Sequence, residues 1–81
     1  MVRVVATSDC LEFTGGLMEF DVEATTVRGM ITALDCRFPG FGTFVDQRMA
    51  IAIDGEIHQD AWFAPLNEGN EVFLIPKIAG G

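Results

Sequence analysis

One stretch of this chain has the spacing of a true amphipathic helix while nearly everything around it reads as short strands, and that contrast limits the possible folds more than any other feature. Val27, Met30, Ile31, Leu34 and Phe38 fall on one helical face, which another layer must cover. Thr25 or Thr26 stands where a side-chain oxygen accepts hydrogen bonds from the first-turn N–H groups, and Pro39-Gly40 ends the segment. Gly29 inside it costs about 1 kcal/mol relative to alanine, which points to close packing against a sheet.

The flanking segments supply that sheet. Met1 to Ala6 is rich in valine and reads as a first strand, with Val2 and Val4 on one face. Gly15-Gly16 marks a turn, after which Met18, Phe20 and Val22 alternate with Glu19, Asp21 and Glu23, predicting an opening hairpin. Phe41 to Gln47 alternates poorly and is read as a short helical turn that sets aromatic side chains beneath a connection. Met49 to Ile53 and Glu56 to His58 flank Asp54-Gly55, a tight-turn dipeptide, and form a second hairpin. Ala61 to Leu66 crosses the body, Asn67 to Asn70 turns, and Glu71 to Ile75 is apolar and short enough for a buried central strand. Pro76 stops regular pairing. The order of elements predicts an α+β roll with one main helix across a mixed sheet, the β-grasp architecture, as a domain over residues 1–76 followed by a tail over 77–81.

At 81 residues the chain builds one modest core and leaves little room for an enclosed catalytic cleft. Twelve carboxylates against five bases give a net charge of −7, which argues against nucleic acid as a partner. The start of the sequence has neither the look of a signal peptide nor a membrane span, so a cytoplasmic protein is expected, with Cys10 and Cys36 as free thiols. Cys10, Cys36 and His58 match no metal-binding spacing, and no metal is expected. Gly15-Gly16 and Gly40-Phe41-Gly42 lack a following Gly-Lys-Ser/Thr and are read as turns, not phosphate loops. Trp62, Phe63, Phe41 and Phe44 are read as core or rim packing. Lys77, the only lysine, lies where it can meet an acidic group on a partner.

Leu66, Glu68-Gly69-Asn70-Glu71-Val72, Ile75-Pro76 and Ala79-Gly80-Gly81 together resemble the turn, last strand and Ala-Gly-Gly tail of the MoaD and ThiS branch of ubiquitin-like proteins. The helix stripe and strand order extend the resemblance over essentially the whole chain. Two positions depart from the pattern: Asn70, where aspartate is common, and Lys77, where an uncharged residue or a second proline is usual.

The resemblance implies a sulfur carrier and not an enzyme. A partner of the MoeB or ThiF type, an E1-like adenylyltransferase, uses ATP to activate the Gly81 carboxylate. A persulfide donor then converts it to a thiocarboxylate, and an acceptor enzyme such as the large subunit of molybdopterin synthase takes the sulfur. No cofactor is expected to be bound by the carrier itself. Glycine has no Cβ, so Gly80 and Gly81 fit a narrow channel in extended form; Lys77, Ile78 and Ala79 complete the tail that enters it. Phe73 and Ile75 are the candidates for a docking face, because apolar contacts dominate such interfaces. Molybdopterin formation is the leading expectation. The alternatives are a carrier for thiazole, amino-acid or secondary-metabolite synthesis, a modifier joined to target lysines, and a binding module that does not use its tail.

Overall fold

The computed structural model describes residues 1–58 and 63–77. Strand β1 (Val2–Val5) is followed by a 3-10 turn (Ser8–Cys10), the short helix α1 (Leu11–Thr14), β2 (Glu19–Val22), the long helix α2 (Val27–Arg37) and α3 (Phe41–Arg48). Strands β3 (Met49–Ile53), β4 (Glu56–His58) and β5 (Glu71–Pro76) complete the order. The five strands form one sheet in the order β2-β1-β5-β3-β4. Strand β5 therefore lies at its centre, parallel to β1 and antiparallel to β3. This mixed sheet crossed by a helix is the β-grasp fold that the order of elements predicts.

Alternation decides which side chains meet the helices. Val2, Val4, Phe20, Val22, Val72, Leu74, Met49 and Ile51 are buried on one face, against Val27, Met30, Ile31 and Leu34 of α2 and Phe41 and Val45 of α3. The helix begins as expected: the Thr26 side chain accepts from the Gly29 N–H at 3.0 Å, and Arg37 in the last turn lays its guanidinium over the rings of Phe20 and Phe38. Phe20, Phe38, Phe41, Phe13 and Phe44 run on from one another as ring contacts, the closest at 4.9 Å between centroids. Phe41 and Phe44 thus serve packing, as expected.

The opening hairpin forms, β1 pairing antiparallel with β2, and its connection holds a 3-10 turn and a short helix ended by Gly15 at φ 68°. Three sequence expectations about packing and turns need correction. Gly29 faces its own N-cap: a Cβ there would lie 3.3 Å from Thr26 Oγ1, with no sheet atom nearby. Gly42 is a helical residue inside α3, where only hydrogen fits. Phe63 is 78% exposed and packs into no core; Trp62, read with it, lies outside the described residues.

A side-chain clip fixes the start of β5. Asp54 adopts φ 50° in the β3–β4 turn, and its carboxylate accepts from Asn70 Nδ2 at 2.6 Å and from the Glu71 N–H at 2.9 Å. Asn70 Oδ1 accepts in turn from the Asn67 N–H. An aspartate at 70 would set a second carboxylate against Asp54 with no proton to donate, which accounts for asparagine at this departure from the usual pattern.

Candidate functional site

Two features converge on β5. The first is the sheet face turned away from the helices. Phe73 is in register with Val5 on β1 and Ala52 on β3, Ala52 with Ile57 on β4, and Ile75 with Ala50. Pairs in register share a face, so Val5, Phe73, Ile75, Ala50, Ala52 and Ile57 form an apolar strip across four strands. Phe73 and Ile75 are half-buried and Ile57 is exposed. The strip is rimmed at the β1–β2 side by Arg3, which lies 3.5 Å from Glu19 and 3.8 Å from Asp21, with Glu71 across from it on β5. These ion pairs are solvent-exposed and each contributes at most about 1 kcal/mol; their effect is to outline the apolar strip with charge.

The second feature is the far end of β5. Pro76 stands opposite Met49, and one step further the Lys77 N–H donates to the Arg48 carbonyl at 3.0 Å. In antiparallel pairs, bonded and non-bonded positions alternate. Pro76 therefore falls where no N–H toward β3 is needed, so it is tolerated inside the sheet and does not stop the pairing, contrary to the sequence expectation. The Lys77 ammonium reaches back to the Asp46 carbonyl at 2.9 Å. Beside this root lies an open groove of about 510 Å³. Arg48 and Lys77 supply its cations, Asp9 and Glu12 its carboxylates, and Phe44 and Pro76 apolar wall.

Of the residues singled out from sequence, the structure sets Phe73, Ile75 and Lys77 on this one strand and its immediate continuation. Ile78, Ala79, Gly80 and Gly81 lie outside the described residues. Cys10 is buried, Cys36 is exposed on α2, and His58 sits on β4 opposite Ile51. Among the described residues no group of three metal-ligating side chains comes together, and no buried side-chain polar atom lacks a hydrogen-bond partner. No helix among them is long and apolar enough to cross a membrane. The body thus presents a surface and a tail root.

Sequence reasoning missed the partners of these residues. Val5, Ala50, Ala52 and Ile57 complete the apolar strip, and what joins them to Phe73 and Ile75 is cross-strand register, which no local pattern in the sequence carries. Asp35 was also missed. From α2 its Oδ1 accepts from the N–H groups of Gly40 and Gly42 at 3.1 and 3.0 Å, capping α3 across the gap between the helices. No local pattern announces a cap supplied by a different helix.

Comparison with known proteins places these features in a family. The ThiS family model matches residues 11–81. No curated protein matches the chain. Among solved structures, CysO of Mycobacterium tuberculosis superposes with a TM-score of 0.87 at 16% identity, covering 96% of this chain and 100% of CysO. Small archaeal modifier protein 1 of Methanosarcina acetivorans gives 0.78 at 20%, covering 99% and 95%. Subunit 1 of the molybdopterin-converting factor of Helicobacter pylori, solved in complex with subunit 2, gives 0.66 at 20%, covering 99% and 97%. At these identities the structural likeness establishes the fold, and the family match does the rest: the chain belongs to the ThiS family of small ubiquitin-like sulfur carriers.

Proposed function

We propose that this chain carries sulfur as a thiocarboxylate on Gly81 and delivers it to an acceptor enzyme, first among them a molybdopterin synthase large subunit. The observation that supports this reading is the family match running through to residue 81, on a body whose central strand leads toward that glycine pair. In the first step a carboxylate oxygen of Gly81 attacks the α-phosphorus of ATP on an E1-like partner, and pyrophosphate leaves. The terminal sulfur of a persulfide then attacks the acyl carbon and displaces AMP; a thiol cleaves the resulting S–S bond and leaves the thiocarboxylate. The carrier contributes position. Its sheet strip around Phe73 and Ile75 docks, and the four residues after Lys77, if drawn out fully in a partner's channel, would span at most about 14 Å.

The molybdopterin acceptor is favoured by the likeness to the Helicobacter subunit 1 solved with its subunit 2. A second reading, a carrier for another sulfur acceptor, is favoured by the likeness to the CysO of Amycolatopsis orientalis, solved in complex with a different protein, BexX.

Intact-mass measurement after incubation with a MoeB-type or ThiF-type enzyme, ATP and a persulfide donor tests the proposal. A gain of about 16 Da, seen with the full chain and absent when Gly80 and Gly81 are deleted, is expected for one oxygen replaced by sulfur. No gain with several partner enzymes active on their own carriers sinks it. Mixing the loaded chain with a molybdopterin synthase large subunit and its precursor then separates the acceptors: loss of the added mass supports the first, retention the second.

A further inference from the structure

We propose that Lys77 is a positioning residue, whose grip on the C-terminal end of α3 sets the line along which the tail leaves the body and thereby favours its capture by the activating partner. The inference rests on the carrier reading above, and adds to it a role for a residue that departs from the usual tail pattern.

The grip has two points. The Lys77 N–H donates to the Arg48 carbonyl at 3.0 Å, and Nζ donates to the Asp46 carbonyl at 2.9 Å. The last carbonyls of a helix have no intrahelical partner and carry the negative end of its dipole, so an ammonium there satisfies an orphan acceptor and gains electrostatically. In α3 the Val45 carbonyl is taken by the Met49 N–H and the Arg48 carbonyl by the Lys77 N–H, and the Lys77 ammonium fills the Asp46 carbonyl of the same last turn. The element being gripped is itself held. Phe41 and Val45 are buried, and Asp35 caps its first turn from α2. One residue before the grip, Pro76 has its φ fixed by the ring. Backbone direction at the root of the tail is therefore constrained at two successive residues against a stationary helix.

A tail whose first residue is already oriented loses less conformational entropy when it is threaded than one free to swing. The gain appears in capture, because the competent orientation is a larger share of the free population, and not in the chemistry at Gly81. Lys77→Met keeps the stem and the backbone bond while removing the side-chain donor. Lys77→Arg restores a donor at similar reach.

Two measurements on the full chain test this: the steady-state kinetics of adenylation by the partner, and hydrogen exchange of the Lys77 amide in the free protein. Lys77→Met is expected to raise KM about fivefold with kcat unchanged and to speed exchange at the Lys77 amide about tenfold, with Lys77→Arg recovering most of both. A KM equal to that of the parent overturns the proposal. So does a raised KM with unchanged amide exchange, which would mean that the ammonium meets the partner directly. If the parent chain is not adenylated at all, the carrier reading fails by itself, and amide exchange still decides whether the side chain grips α3.

Discussion

At Gly42 the two larger helices approach so closely that one methyl group is too much. A Cβ there would stand 2.6 Å from Asp35 Cβ and 2.9 Å from the Ile31 carbonyl oxygen, and the latter is backbone that cannot swing aside. Overpacking of this kind costs about 1–3 kcal/mol, while replacing a helical glycine by alanine returns at most about 1 kcal/mol. Gly42→Ala should therefore lower stability, with a fall of several degrees in Tm, since about 1 kcal/mol shifts a domain of this size by roughly 4–8 °C. An unchanged or raised Tm would show that α3 slides away from α2 without loss. Glycine at 42 looks like part of a turn when only its neighbours Gly40 and Phe41 are read, because the constraint comes from residues seven and eleven positions earlier.

At the scale of elements, what was legible in the sequence had a local signature. The threonine pair Thr25-Thr26 before the stripe from Val27 to Phe38 gave α2 its start, Asp54-Gly55 gave the β3–β4 hairpin, and the apolar run after Asn70 gave a central strand. What was not legible depends on distant partners: the parallel pairing of β1 with β5, the Asp35 cap on α3, and the residues that join Phe73 and Ile75 on the outer face. Helix α1 was missed for a different reason: its four residues are too few to show a period. The candidate site was half readable, since sequence named the strand and the tail while only register could show the strip's width. That strip yields an element-level prediction. Phe73→Ser removes its central side chain while the buried residues of β5, Val72 and Leu74, stay in place. KM for the activating partner should rise about tenfold or more, the loss of roughly 1.4 kcal/mol expected at a central apolar contact, and far-UV circular dichroism should be unchanged. An unaltered KM would move the docking surface elsewhere.

For the whole molecule, the charge balance of −7 sets how it meets other proteins. Several carboxylates lie near the two features that converge on β5: Glu19, Asp21 and Glu71 by the strip, and Asp9 and Glu12 in the groove. A basic partner would be drawn toward that side before contact. Raising the ionic strength from about 0.05 M to about 0.5 M shortens the screening length several-fold, so the association rate with the activating enzyme should fall about tenfold while the dissociation rate stays nearly constant. A salt-independent association rate would reduce the acidic surface to a solubility device.

The central placement of β5 has a mechanical corollary. Tension applied to the tail runs along the axis of a strand bonded on one side to β1 and on the other to β3. Such a load shears the rungs of both ladders together instead of peeling them one after another. Under traction from its C-terminal side the protein should therefore behave as a stiff body that gives way in one step, so a machine that threads the tail and pulls would stall at the root until the whole sheet failed.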